Sequence, residues 1–438
     1  MRCSAFDSLS AEGLRLGGGN VTGTRQHCRS GGLSSVRARR GTLPRVALLT
    51  CVSFAALATL APLAHAVDGT WTGPAAEWTD GTNWSSNPDV PDTAATFTNN
   101  GAPASVTISD DASINAIQFT ARAPAFNFTT SGTGITFDVN GTGIVNNSAF
   151  APTFTNNDNL NFNGASSAGN AVIINNNGAV LSFNKSSTAG NAIITTNNGA
   201  VTQFNDNSTG GNAQFITNAG GIVDFSGTSG PAGDGNISAG SIAGAGSYYL
   251  GSNLLTVGGN NLSTTVSGVI SDCGDSGSDC SNPGATGGGL IKIGTGTLTL
   301  SGLNNYTGPT AVNAGTLQAG AVNAFSSVSA FTVASGATLD LAGFDQTIGS
   351  LAGAGAVTLG SATLTTNGDG SDTTFSGTIS GSGGLVKIGE GTLTLLGNNS
   401  YTGGTLLNEG TLAVGSNTAL GTGNTYPCGW HHPAGRRQ

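Results

Sequence analysis

Four phenylalanines, Phe162, Phe183, Phe204 and Phe225, stand 21 residues apart, and whole phrases travel with them: FNGASSAGNAVII, FNKSSTAGNAIIT and FNDNSTGGNAQFI. Asn170, Asn191 and Asn212 keep the same spacing, as do Asn176, Asn197 and Asn218, and Val180, Val201 and Ile222. A strict period of this length marks a unit that cannot bury its apolar face alone and must stack on its neighbours. Short alternating apolar runs bounded by Gly and Asn are strand and turn signals. With about three short strands per unit, one period closes one coil of a parallel β-solenoid, each coil about 4.8 Å from the next. Equivalent residues then form columns. Stacked Phe rings would contribute roughly 1.5 to 3 kcal/mol each by burial, and Asn columns at corners would pass amide hydrogen bonds along the stack. Gly169, Gly190 and Gly211 suit corners of positive φ. These Asn columns read as turn architecture in preference to a polar binding face. The leucine-rich horseshoe signature is absent, and a propeller needs longer repeats.

A second repetition lies downstream. GGLIKIGTGTLTLSGLNNYTGPTAVNAGTLQAG, 288–320, returns as GGLVKIGEGTLTLLGNNSYTGGTLLNEGTLAVG, 383–415, at an offset of 95. The preceding phrases, from Ser241 and Ser350, match at an offset of 109, so 14 residues are inserted in the first copy within DCGDSGSDCSNPGATGG. Cys273 and Cys280 sit on that excursion and are expected to form a local disulfide. Asp272, Asp275 and Asp279 surround them without the alternating spacing of a calcium loop, and read as solvated acids.

Charge separates the chain into parts. Between Val67 and Cys428 only Arg122, Lys185, Lys292 and Lys387 are basic against 21 acids, a net charge of −17 that repels nucleic acid and anionic membranes. Before Ala66, RARRGTLPR leads into VALLTCVSFAALATLAPLAHA, the layout of a secretory signal peptide cleaved after Ala66. Pro62 and the small residues at its end argue against a transmembrane anchor. Residues 1–35 are unlike a signal n-region, and Val36 is a candidate start. Cys3, Cys28 and Cys51 precede the expected cleavage. The organisation is therefore a signal region over 1–66, capping and first coils over 67–161, regular coils over 162–225, a repeat-bearing solenoid over 226–424 and an aberrant tail over 425–438.

Catalytic constellations are sparse. Residues 67–424 contain no histidine, which removes Ser-His-Asp, Cys-His and His-zinc chemistry from that span. Asp110 and Asp111 are its one adjacent acidic pair and Arg122 its one arginine. A carboxylate pair drawn from different coils stays open as the basis of a β-helical carbohydrate-active enzyme. Neither a cofactor nor a metal is expected. Cys428, His431 and His432 offer three candidate ligands in a terminal stretch, which rarely closes a site. Trp71, Trp78 and Trp84 form the one aromatic cluster, expected to plug the first coil, with sugar stacking as the alternative.

The pattern G-x-L-x-K-x-G-x-G-T-L-T-L…N-x-Y-T-G-x-T…G-T-L, carried by Lys292, Tyr306 and Gly308 and again by Lys387, Tyr401 and Gly403, resembles the autotransporter-associated β-strand repeat, or passenger-associated transport repeat. The segment from Asp68, DGTWTGPAAEWTDGTNW, is similar to the mature N-termini of such Gram-negative passengers. The resemblance implies an all-β, right-handed parallel β-helix, exported by type V secretion through an outer-membrane translocator barrel with its assembly machinery. It implies a surface-exposed or secreted structural, adhesin-like protein with a host glycan or matrix ligand and no nucleic-acid partner. In a motif shared by passengers of diverse activity, Lys292 and Lys387 read as structural in preference to ligand contacts. The family's barrel strands are not found in this sequence. Its tail reads as a truncated or frame-shifted end, so a non-functional gene fragment and a periplasmic location are further readings.

Overall fold

The computed structural model describes residues 66–102, 104–273 and 280–426, all within one compact unit, Pro62–Gln438. The signal region before Ala66, the tail bearing Cys428, His431 and His432, and the acids Asp275 and Asp279 lie outside the described residues.

The fold is an all-β parallel solenoid. Its strands join sheets of ten, 13, nine and five members, each running from coil to coil along the stack. In the regular region Phe162 pairs with Phe183 and Phe183 with Phe204 in unbroken register. Their rings stack at 5.1 and 4.8 Å, and Phe204 meets Phe225 at 4.7 Å. All four rings are buried, so the 21-residue period is the circumference of one coil.

The corners carry the amide ladders. Asn176, Asn197 and Asn218 each donate to the Oδ1 of the Asn one coil back, at 2.8, 2.9 and 2.7 Å. A second column joins Asn163, Asn184 and Asn205 at 2.9 Å per step. A side-chain amide offers both a donor and an acceptor, so identical residues can satisfy one another without end. Gly169, Gly190 and Gly211 have φ of 61, 62 and 59°. A Cβ on Gly190 would stand 2.8 Å from the carbonyl oxygen of Gly169, which excludes any larger residue there.

The third side of each regular coil is shorter than the sequence suggests. Two strands per coil, for example Val180–Phe183 and Ile193–Thr196, are joined by a segment that pairs through one residue only, in the column Gly143, Ser167, Thr188, Thr209. Turns closed by Ser187 N–H to Asn184 O and Ala192 N–H to Ala189 O flank this position and leave no room for a longer strand.

From Asn236–Ala239 onward a nine-stranded wall joins the continuing 13-stranded one. The remaining wall belongs to the ten-stranded sheet as far as Ile270–Ser271 and to the five-stranded sheet from Gln346–Thr347. Backbone bonds from Asn305 N–H to Ile270 O and from Asn323 N–H to Asp345 O bring irregular chain onto both ends of that interruption.

Candidate functional site

The two related phrases build the same device twice. Strand Gly289–Lys292 delivers Lys292 to a corner where the chain turns through Gly294, at a φ of 71°. Its Nζ donates to the carbonyls of Ile293, Gly294 and Ala314 at 2.8, 3.1 and 3.1 Å. Lys387 repeats this with Ile388, Gly389 and Glu409 at 2.7, 2.7 and 3.3 Å. An ammonium has three donors, and all three are consumed by backbone. Both lysines are buried, and desolvation lowers the pKa of each; for Lys387 the carboxylates of Glu409, Asp369 and Asp372 work against that shift. These side chains clamp successive coils and leave no proton for a ligand.

A second element of the device is an asparagine. Asn304 accepts from Ile270 N–H at 2.7 Å and donates to Ala324 O at 2.6 Å; Asn399 accepts from Ile379 N–H at 2.8 Å and donates to Ala419 O at 2.6 Å. Each amide therefore replaces a stretch of strand as a rung between the coil before and the coil after. Where it does so the sheet stops: the ten-stranded sheet ends at Ile270–Ser271 and the 13-stranded one at Thr378–Ser380. The sequence held a signal for this role, since Asn304 and Asn399 coincide at the offset of 95. Tyr306 and Tyr401 are buried beside their rungs and hydrogen-bond Thr310 and Thr405. Burial pushes the Tyr306 phenol up to about 12. Gly308 and Gly403 let this segment approach the previous coil; a Cβ on Gly308 would lie 2.2 Å from Gly287 O.

The copies are not on the same walls. The first places its lysine strand in the nine-stranded sheet and Thr297–Leu300 in the 13-stranded one. The second places Leu385–Lys387 in the five-stranded sheet and Thr392–Leu395 in the nine-stranded one. The unit has rotated by one wall around the solenoid.

Other sequence-derived residues fall into place individually. Trp71, Trp78 and Trp84 are buried, with ring centroids 5.0 and 4.9 Å apart in edge-to-face contact and Trp84 Nε1 donating to Trp78 O at 2.7 Å. They pack on Phe97 over the end of the core, as a plug; the sugar-stacking alternative fails because no ring face is exposed. Cys273 and Cys280 form a disulfide. Asp272, expected as a solvated acid, is instead buried. It accepts from the N–H groups of Gly287, Gly288 and Thr307 and from Thr307 Oγ1, because the backbone that returns to the wall at Gly287 and Gly288 needs an acceptor. Asp224, which the sequence did not single out, anchors the same excursion through Ser281 N–H and Oγ, both at 2.7 Å. Asp110, Asp111 and Arg122 are exposed, and Asp111 accepts from Thr136 N–H at 2.8 Å. Among the described residues no group of three or more His, Cys, Asp or Glu side chains converges as a metal site.

A family model described as Passenger-associated-transport-repeat matches residues 290–319 and 385–414, the two segments that carry the lysine clamp and the asparagine rung. The chain is 48% identical over 132 residues, 28% of its length, to the adhesin BmaC autotransporter of Brucella suis biovar 1. The chain carries two passenger-associated-transport repeats and is similar to autotransporter passengers. A 45-residue stretch, 10% of the chain, is 53% identical to an extracellular serine protease of Serratia marcescens. In each case the match spans 4% of the relative's length. No solved structure matches the chain significantly. Both relatives are named as proteins of the autotransporter or extracellular class, which supports export to the cell surface or medium and lends nothing to a periplasmic location. An outer-membrane translocator is the partner that this class implies in general.

Proposed function

We propose that this passenger is displayed beyond the outer membrane by a translocator barrel and acts as an adhesive rod, without catalysing a reaction. The observation that carries the reading is the way conspicuous polar side chains of the repeats are spent: Lys292, Lys387, Tyr306, Tyr401, Asn304 and Asn399 are committed to holding coils together, and what faces solvent is a long lateral surface. The similarity to an autotransporter adhesin supports the same reading. Similarity to a serine protease favours an enzymatic second reading. Against it, residues 66–426 contain no histidine to activate a serine. The mature start after Ala66 belongs to the proposal, as does a host-surface glycan or matrix ligand.

The test is adhesion of latex beads coated with the purified chain to epithelial monolayers and to immobilised matrix, beside a casein-cleavage assay on the same preparation. Bead retention well above albumin-coated controls, with casein intact, is the expected result. Casein cleavage that copurifies with the folded chain, or beads that settle no better than controls, would reject the adhesive reading.

A further inference from the structure

Between Ile270–Ser271 and Gln346–Thr347 the wall has no strand among the described residues, and a groove of about 600 Å³ opens there. Asn304 closes part of its floor as a rung, and buried Phe325 lies beneath. Asn305 and Asn323 line it from successive coils, and both are exposed. Their backbone N–H groups are bonded to Ile270 O and Asp345 O, but their side-chain amides have no protein partner. That sets them apart from the asparagines of the regular coils, whose amides satisfy one another in columns. Asn323 is held at a φ of 54°, outside strand geometry, so the two amides do not fall into a ladder. Leu303 and Val269 line the groove, Leu303 at 68% exposure; Val322 and Phe344, on the next two coils, are 53% and 38% exposed and lie outside its lining.

The lining thus offers free amide donors and acceptors beside the exposed Leu303, with no charged group among its residues. We propose that this groove binds a neutral oligosaccharide lying along the stack, its hydroxyls on Asn305 and Asn323 and an apolar sugar face on Leu303. Amides pair with hydroxyls in both senses, and apolar and aromatic side chains cover the C–H faces of sugar rings. Two competitors fit less well. An anionic polysaccharide meets a surface of net charge −17 between Val67 and Cys428. An added peptide strand needs open backbone groups, whereas Ile270 N–H and Ala324 O are already taken by Asn304. The inference rests on the adhesive reading and assigns it a ligand class.

The experiment applies the full chain, N305A/N323A, L303A and N197A to an array of neutral glycans and to heparin, with circular dichroism and melting curves to verify folding. Asn305, Asn323 and Leu303 are exposed, so the variants are expected to fold. The wild type and N197A should bind at least one neutral glycan class, with a loss of tenfold or more in N305A/N323A and a smaller loss in L303A. Retention of heparin alone, binding of no neutral glycan, or equal binding by all variants would overturn the site. Beads coated with each variant separate the two ideas: unchanged adhesion by N305A/N323A removes the groove and leaves the adhesive rod standing, whereas wild-type beads that do not adhere remove the rod itself.

Discussion

The regular coils around Phe162–Phe225 and the two passenger-associated repeats hold the same solenoid together by opposite means. In the former, like sits on like: Phe on Phe at 4.7 to 5.1 Å, Asn on Asn at 2.7 to 2.9 Å. Each residue inside a column, such as Phe183 or Asn197, has an equivalent above and below. In the latter, unlike groups meet once: an ammonium in three carbonyls, an amide in place of a strand, a phenol on a threonine. A homotypic column shares a defect among its neighbours, whereas a single pin has no substitute. The comparison teaches that stability in the regular coils comes from repetition and in the repeats from a few positions.

The widest effect expected in the regular coils is apolar. Phe183 stacks on rings on both sides, so Phe183→Ala should cost about 3 to 5 kcal/mol, the usual range for a buried aromatic truncation. Urea unfolding followed by circular dichroism checks this, and a loss below about 1 kcal/mol would mean the column does not bear the core. Next comes the rung. Asn304→Leu keeps the volume but orphans Ile270 N–H and Ala324 O, and should cost about 2 to 4 kcal/mol. Hydrogen exchange at the Ile270 amide should accelerate in the same variant, which a general packing defect elsewhere would not produce. Smallest is a polar ladder position: Asn197→Ala removes one step of an exposed column and should cost under about 1 kcal/mol. If Asn197→Ala proved as damaging as Asn304→Leu, the distinction between shared and single pins would be lost.

The columns were legible because a homotypic stack writes itself into the sequence as one residue at one interval. Phe162 to Phe225 and the Asn series needed only that the interval equal a coil. The rotation of the second repeat was not legible, since coil length varies downstream. Lys292 pairs with Val312, Val312 with Val333, Val333 with Gly353 and Gly353 with Phe375, steps of 20, 21, 20 and 22 residues. Lys387 falls 12 residues past Phe375, in mid-coil and hence on another wall. Asp272 was misread for a related reason: an insertion has no second copy to compare with, so the backbone it would satisfy was invisible. The third strand of the regular coil, reduced to Ser167, Thr188 and Thr209, shows that periodicity fixes how often the chain passes a side and not how many residues pair there.

The one-wall offset between the two copies bears on how such rods grow. A module that grips only the coil immediately before and after it is indifferent to compass bearing, so gene duplication need not preserve a whole number of windings. Segments of almost any length can be spliced in between, and the shaft lengthens without losing its thread.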